Sequence, residues 1–427
     1  MKIFKLVFHS VIALTLCLSL SSCDNTVINI KEKWDSVIKE EWNSVTQSVN
    51  NAWNGLTNTT TEPPAQEMTK PEPEPEPETE LTPTPDEYFN FILRDDGTYA
   101  VSAKTTDMPS EVIIPDTYQD IPITLVKNDG FSGYESIKSI TFPKYLSVIG
   151  SGVIRGCPTL KSISVKKGNK NFHSDGNCII HTFTKTIVVG CKTSVIPTDR
   201  SVRGIGNYAF SVASPAKMVI PDNILFIGNG AFYYNKHLES ITFSDRLGTI
   251  GADAFRGCTN LKRVSLGSGI IDIEEHAFAS CYSLESIVIP EGVRSIESST
   301  FAYCDNLSYV SLPESLVEIE GAAFYKCTSL ESIDLPGNLS TIDKSAFYGC
   351  TALTKIIIPD SVKKIEVAAF ENCTSLIAVI LGNKVEVIPD DTFLGCSKLE
   401  AVIASHYLTE INPGAFEGCP NVKIIIY

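Results

Sequence analysis

The chain has 427 residues, 43% of them hydrophobic, with a formal net charge of −15, so it is long and apolar enough to bury a large core. Residues 61–87 hold nine acidic residues against Lys70 and therefore carry −8 of that charge. The remaining −7 is spread over about four hundred residues. We find no basic stripe of the kind that neutralises phosphates, which argues against a nucleic-acid partner.

The N-terminus has the pattern of an exported protein. Lys2 and Lys5 precede an apolar run at residues 6–20, which predicts a secretory signal rather than a membrane span. Leu20-Ser21-Ser22-Cys23 resembles the bacterial lipoprotein box, in which the cysteine thiol is acylated and the chain is cut before it. The resemblance implies a signal peptide at 1–22 and a lipid anchor at Cys23. Plain secretion is the alternative, and no other stretch is apolar enough to cross a bilayer.

Two further segments separate the predicted anchor from the main domain. Residues 23–60 contain an amphipathic helix at 31–54, predicted from apolar side chains three or four residues apart: Trp34, Ile38, Trp42, Val45, Val49 and Trp53. This helix would lie on a membrane surface or self-associate. Residues 61–87 alternate proline and glutamate, which keeps a chain extended. They predict a linker that reaches about 80 Å at roughly 3.1 Å per residue.

A 23-residue repeat fills the remainder of the chain. From residue 255 onward, phenylalanine recurs every 23 residues and cysteine follows three residues later, at Cys258, Cys281, Cys304, Cys327, Cys350, Cys373, Cys396 and Cys419. Looser units precede it at Phe131, Ile154, Phe210 and Phe232, which gives about twelve units. Such a period predicts a repeat solenoid of the leucine-rich type over residues 88–427.

Each unit predicts one strand and one tight corner. The segment Leu-x-x-Ile-x-Leu is rich in β-branched residues and predicts a short strand, and stacked units form a parallel sheet with strands about 4.8 Å apart. Ala-Phe-x-x-Cys predicts a short helical or 3₁₀ turn. An insert at about 166–195 interrupts the period and predicts a hairpin with strands at 178–180 and 186–189. The order of its Asn and Asp residues does not fit a calcium loop.

The repeat AFxxCxxLxxIxLP, the entry segment YAVSAKTTDMPSEVIIPDTYQDIPIT and the insert DGNCIIHTFTKTIVVGC resemble the BspA-like leucine-rich-repeat family over about residues 90–427. The resemblance implies a curved solenoid on bacterial or protist surfaces that adheres to host matrix proteins, host cells or other microbes. The family has no binding motif that can be carried over to residues of this chain.

The cysteine column is predicted to be structural. One thiol per coil, in a line with steps of about 4.8 Å, cannot surround a zinc ion. Eleven cysteines remain after Cys17 and Cys23 are removed, an odd number that cannot all pair. Asn235 occupies the Cys position of its unit and can bond a neighbouring backbone but cannot form a disulfide. We therefore predict buried free thiols, with Cys178 and Cys191 as the one pair open to bridging.

No enzyme site is predicted. The five histidines of the mature chain do not recur at matching repeat positions, and no serine has a nucleophile motif around it. We therefore predict no catalytic residue, no metal and no cofactor.

The variable outward positions of the strands are the candidate binding face. The residue between the inward Ile and the inward Leu points outward, and this column changes from polar residues to isoleucine toward the C-terminus. The candidate residues are Tyr309, Ser311, Asp334, Ile357, Ile380, Ile403, Ile424 and Ile426. An exposed apolar patch is typical of a docking site, although β-branched residues also stack in strands without a ligand.

These observations predict a lipid-anchored, non-enzymatic surface protein that adheres to an extracellular protein, of the matrix or of a cell surface, or to a glycan. Self-association through the bare last strand is a further expectation. The alternative is a structural or assembly protein of the periplasm or cell envelope, since Asp24 after the lipid-bearing cysteine resembles an inner-membrane retention signal.

Overall fold

The computed structural model describes residues 82–211 and 215–427, and Thr79–Tyr427 form one compact unit. The predicted signal peptide, Cys23, the segment 23–60 and all of the linker before residue 82 lie outside the described residues. Within them the chain is a leucine-rich-repeat solenoid of about fourteen turns, two more than the sequence count. Thr84 already belongs to it, because its backbone N–H donates to Ile113 O at 3.0 Å.

The N-terminal coils begin with a 3₁₀ turn, Asp86–Tyr88, and an antiparallel pair, β1 and β2, that covers the first coil. β2 pairs in parallel with β5, which continues to β7, while β3, β6 and β8 form a three-stranded parallel sheet. The strands are β1 (Phe89–Leu93), β2 (Tyr99–Ala103), β3 (Glu111–Ile113), β4 (Thr117–Tyr118), β5 (Ile121–Val126), β6 (Ser139–Phe142), β7 (Val148–Ile149) and β8 (Ser162–Val165).

The insert is an antiparallel meander of three strands: β9 (Phe172–Asp175), β10 (Cys178–His181) and β11 (Thr186–Gly190). The β10–β11 pair confirms the predicted hairpin. β9 was not predicted, because its sequence FHSD carries little hydrophobic signal. Side chains of the hairpin alternate between two hydrophobic clusters: Ile180 and Ile187 join the C-terminal cluster, whereas Ile179 and Val189 join the N-terminal one. The insert therefore separates two hydrophobic cores and contributes side chains to both.

Most regular coils contribute one strand of two to four residues to a front sheet and one of two residues to a rear sheet. In chain order they are β12 (Gly204–Ile205), β13 (Lys217–Val219), β14 (Phe226–Ile227), β15 (Ser240–Thr242), β16 (Thr249–Ile250), β17 (Arg263–Ser265), β18 (Asp272–Ile273), β19 (Ser286–Val288), β20 (Ser295–Ile296), β21 (Tyr309–Ser311), β22 (Glu318–Ile319), β23 (Thr341–Ile342), β24 (Lys355–Ile357), β25 (Lys364–Ile365), β26 (Ala378–Ile380), β27 (Val387–Ile388), β28 (Ala401–Ala404), β29 (Glu410–Ile411) and β30 (Lys423–Ile426).

The front sheet of these coils is parallel and has two sections, β13-β15-β17-β19-β21 and β24-β26-β28-β30. The rear sheet runs from β11 through β12, β14, β16 and β18, and continues as β20-β22-β23-β25 and β27-β29. The front sheet is interrupted at residues 331–336, which have no assigned strand although Ile333 stays buried.

The corners are successive β-turns, which corrects the predicted helical or 3₁₀ turn. Ala254 N bonds back to Gly251 O at 3.2 Å, but the next residue, Phe255, donates its N–H to Ala277 O of the following coil at 2.7 Å. Alternate amides thus bond between coils. Asp253 also has a left-handed φ of 56°, which a continuous helix does not tolerate.

The core is a set of buried columns that run along the solenoid. The Phe rings stack from coil to coil, for example Phe347 on Phe370 with centroids 5.2 Å apart and planes 1° apart. Each Cys thiol in the column donates to a Phe carbonyl of the preceding coil, as Cys304 Sγ does to Phe278 O at 3.3 Å. Asn235 does the same to Phe210 O at 2.6 Å, which confirms the predicted equivalence of Asn and Cys.

All eleven described cysteines are free and buried, as predicted for structural thiols. Cys178 and Cys191, the pair left open to bridging, are also free. They belong to different hydrophobic clusters on the two faces of the hairpin. Burial raises the pKa of Cys258 and of Cys350 to about 12, so these thiols are protonated at neutral pH.

Candidate functional site

The outward column of the front sheet lies where the repeat predicts it in the regular coils. Strand register aligns Val219 with Thr242 and Thr242 with Ser265. In the second section it aligns Ile357 with Ile380, and Ile380 with Ile403. Side chains alternate across a strand, so the inward neighbours, such as Val379 and Val402, are fully buried.

An apolar stripe of three isoleucines, Ile357, Ile380 and Ile403, crosses adjacent strands of the second section. Ile357 is 48% exposed and Ile380 37% exposed, while Ile403 is half-buried. Strands in a sheet lie about 4.8 Å apart, so the three side chains are contiguous. We call this surface the isoleucine stripe. It is the most apolar part of the candidate binding face.

The last strand departs from the predicted column. Ile403 pairs with Ile425, and Ala401 pairs with Lys423, so β30 is shifted by one residue. Ile424 and Ile426, two of the candidate residues, therefore align with Val402 and Ala404, which are buried positions of β28. The reason is that every residue of Lys423–Ile426 is exposed, and register is fixed only where one face of a strand is buried.

The remaining candidate residues lie outside the isoleucine stripe. Tyr309 and Ser311 are on β21, where Tyr309 is 58% exposed and aligns with Ser286. Asp334 is exposed but lies in the interruption of the front sheet. The structure therefore groups Ile357, Ile380 and Ile403 and separates them from the polar candidates.

A tyrosine cluster on the corner side was not predicted from the sequence. The rings of Tyr325 and Tyr348 stack with centroids 4.6 Å apart, and Tyr303 lies 5.3 Å from Tyr325. Lys326 Nζ lies 5.6 Å from the ring centroids of both Tyr303 and Tyr325. Burial, with the neighbouring tyrosines, raises the pKa of Tyr325. The signal was present as FAYC, FYKC and FYGC in three consecutive repeats.

Charge is unevenly distributed along the repeat domain. Residues 138–203 contain eleven Lys and Arg against Asp175 and Asp199, a local net charge of +9, whereas residues 211–427 carry −11. The balance of −7 outside residues 61–87 therefore averages over two regions of opposite charge. The basic region includes the insert and extends on both sides of it.

The acidic and amide side chains that resemble metal ligands have structural roles. Glu274 Oε2 accepts the N–H of Ala252 at 2.9 Å, and thus holds the preceding coil. Asn177 Nδ2 in the insert donates to Lys161 O at 2.7 Å. The amide group of Asn177 therefore serves as a hydrogen-bond donor to the backbone here. Within residues 82–211 and 215–427, no group of three His, Cys, Asp or Glu is arranged to hold a metal ion. In the same part of the chain, no helix is long and apolar enough to cross a membrane.

The stacked coils, with one buried set of Leu, Ile, Phe and Cys per 23 residues, define a leucine-rich-repeat solenoid. The family model described as BspA type leucine rich repeat region matches residues 109–181, 181–308 and 294–423. The chain therefore belongs to this family. The family is non-enzymatic, which confirms the prediction that the protein is not an enzyme.

A solved structure agrees on the fold, and two others are similar in sequence over most of the chain. A leucine-rich repeat protein from Bacteroides ovatus is 27% identical over 78% of this chain and 91% of its own, with a TM-score of 0.54. A leucine rich cell surface protein from Faecalibacterium prausnitzii is 21% identical over 82% and 95%, with a TM-score of 0.44. The pneumococcal vaccine antigen PcpA is 19% identical over 79% and 91%, with a TM-score of 0.47. A search of curated proteins returned no match.

Proposed function

We propose that the protein is a lipid-anchored surface adhesin whose solenoid binds an extracellular protein through the isoleucine stripe. The observation that carries the proposal is the exposure of Ile357 and Ile380 on adjacent strands. Exposed contiguous apolar surface is costly in water and is typical of a docking site. A protein ligand is favoured over a glycan because the stripe offers apolar contact and few hydrogen-bond donors.

Substitution of the stripe tests this proposal. Ile380→Lys together with Ile403→Lys is expected to weaken binding to immobilised host matrix proteins by more than about tenfold, because two charges enter the centre of the contact. Val219→Lys is the matched control, since Val219 is 70% exposed in the other section of the front sheet. Circular dichroism and the melting temperature verify that each variant is folded. Unchanged binding by the double variant would refute the role of the stripe.

The proposed anchor and location are tested separately. Labelling with a radioactive or alkyne-tagged fatty acid should mark the wild-type chain and not Cys23→Ser. Protease treatment of intact cells should then remove the solenoid from the surface. Protection of the solenoid in intact cells, and cleavage only after the outer membrane is opened, would favour the alternative of a periplasmic or envelope assembly protein.

A further inference from the structure

The hairpin of the insert ends in an unusually exposed aromatic residue. Phe183 is 91% exposed in the turn that joins β10 to β11. The turn is held by hydrogen bonds: Lys185 N donates to His181 O at 2.8 Å, and Thr184 N donates to His181 Nδ1 at 3.2 Å. Thr182 in the same turn also contacts β9, because Thr182 Oγ1 lies 3.0 Å from His173 Nδ1. The phenyl ring is thus presented by a fixed turn.

Basic and apolar side chains continue from this turn along the N-terminal ends of three neighbouring strands of the rear sheet, β11, β12 and β14. Lys185 Nζ donates to Arg200 O at 3.0 Å, and Arg203 N donates to Lys185 O at 2.7 Å. Arg200 and Arg203 are exposed. We call this surface the hairpin edge and define it by Phe183, Lys185, Arg200, Arg203, Leu225 and Phe226.

The next coil adds apolar surface to the same edge. Leu225 N donates to Arg203 O at 2.8 Å, which places the two residues side by side. Leu225 is 38% exposed and Phe226 39% exposed. The ring of Phe226 covers Gly204, where a Cβ atom would lie only 2.2 Å from Phe226 Cζ. The hairpin edge is therefore apolar at both ends and cationic between them.

The charge of the surrounding molecule limits the class of partner. The four residues of the hairpin edge that precede Leu225 lie in the region of net charge +9, whereas Leu225 and Phe226 lie at the start of residues 211–427, which carry −11. Asp199, the acid nearest to the edge in sequence, is held by the N–H of Ser201 at 2.8 Å, and this residue's hydrogen bonds lower the pKa of Asp199. An anionic partner is attracted to this region and repelled by the C-terminal coils.

We propose that the hairpin edge binds the surface of an anionic lipid bilayer. Aromatic side chains insert at the headgroup level, and nearby Lys and Arg pair with anionic headgroups. A fluid surface accommodates a single protruding ring without a matching pocket, whereas a soluble polyanion would use the cations and leave Phe183 in water. Docking by this edge would bring the N-terminal coils to the membrane, while the net charge of −11 on residues 211–427 would keep the C-terminal coils from anionic headgroups.

Vesicle sedimentation tests the proposal independently of any adhesion ligand. Both hydrophobic clusters lie within Thr79–Tyr427, so this compact unit is used without the predicted anchor and without residues 31–54. It should sediment with vesicles of phosphatidylcholine and phosphatidylglycerol and remain in solution with phosphatidylcholine alone. Phe183→Ser should weaken binding about tenfold, and Arg200→Glu with Arg203→Glu by more than about tenfold.

Two matched controls test whether vesicle binding depends on the hairpin edge itself or only on the overall charge and hydrophobicity of the protein surface. Val288→Ser removes an apolar side chain that is 60% exposed on the front sheet, and Lys262→Glu with Arg263→Glu reverses two exposed charges there. Neither control should change vesicle binding. The proposal is overturned if the wild type does not bind anionic vesicles, or if Phe183→Ser binds them as the wild type does. It is also overturned if Arg200→Glu with Arg203→Glu weakens binding to heparin, a soluble polyanion, but leaves binding to anionic vesicles unchanged.

Discussion

The periodic coils, residues 255–419, and the interrupted coils, residues 138–210, have equally buried interiors and different exteriors. Phe324 in the first region and Phe210 in the second are both fully buried. Outside, the periodic coils expose the isoleucine stripe within an acidic region, while the interrupted coils expose the hairpin tip within a basic region. The repeat therefore constrains only the residues that neighbouring coils enclose, and the exposed residues are free to differ.

The two regions also differ in how their cores are connected. The periodic coils share unbroken columns of stacked rings and hydrogen-bonded thiols, such as Cys327 Sγ to Phe301 O at 3.2 Å. In the interrupted coils, β10 and β11 form a wall between two clusters. A change inside the periodic columns should therefore spread to adjacent coils, as expected for a solenoid with nearest-neighbour coupling.

Alkaline pH should destabilise the periodic coils more than the interrupted coils, and this is the largest difference that we expect. The reason is that the periodic coils hold eight of the eleven described thiols. Burial raises the pKa of Cys258 from its ordinary value of 9.0 to about 12. The folded state therefore favours the protonated thiol, and the resulting stability is fully present below about pH 9 and is lost as the pH rises toward 12. Within that window, the stabilisation from a thiol of this kind falls by about 1.4 kcal/mol for each unit that the pH rises.

The measurement is the thermal midpoint by circular dichroism as a function of pH, with thiol alkylation as a second probe. At neutral pH the native protein should resist alkylation, and the denatured protein should react. A midpoint that stays constant between about pH 9 and about pH 11 would contradict the assignment of buried, protonated thiols.

Removing one ring from the phenylalanine column should give the largest effect of a single substitution. Phe324 stacks on Phe301 at 5.6 Å and on Phe347 at 5.3 Å. Phe324→Ala leaves a cavity between them and should lower the free energy of unfolding by about 3 to 5 kcal/mol. Phe183→Ala, at the exposed hairpin tip, is the control and should change it by less than about 0.5 kcal/mol. Urea denaturation measures both, and equal effects would show that the column is not under packing constraint.

The Cys position should tolerate exchange only between side chains that donate a hydrogen bond. Asn235→Ala leaves Phe210 O without the donor that lies 2.6 Å away and should cost about 1 to 3 kcal/mol. Asn235→Cys restores the donor found in the other coils and should cost less than Asn235→Ala. Urea denaturation of both variants compares them, and a cost for Cys equal to that for Ala would show that size alone sets this position.

The smallest effect is expected at an acidic position of the rear face. Burial and the charges of Asp272 and Glu320 raise the pKa of Glu297, so ionisation at neutral pH opposes folding. Stability from this group is present at acidic pH and decreases as the pH rises past the ordinary Glu value. Glu297→Gln should raise the thermal midpoint at neutral pH, with a gain below about 0.5 kcal/mol, and should not raise it at acidic pH. Glu291→Gln, on an exposed side chain, is the control.

The sequence predicted the columns well because they depend on burial alone. The Phe and Cys periods, the outward positions of Ile357 and Ile380, and the hairpin at β10–β11 all follow from which residues are apolar and how far apart they lie. The one-residue shift of β30 could not be predicted, because its residues are exposed and no burial selects a register. The turns of the corners were missed because alternate amides bond to another coil.

The 23-residue period by itself determined the coil, the buried columns and the family, since each coil must bury the same side chains against its neighbours. Only the tertiary structure decided which exposed residues become neighbours where the period is interrupted. Lys185, Arg203 and Leu225 follow one another at about 20 residues in the chain. They are nevertheless neighbours in space, because backbone hydrogen bonds join each of these residues to the next coil. The surfaces that a partner or a membrane would touch are assembled in this way, from one coil to the next.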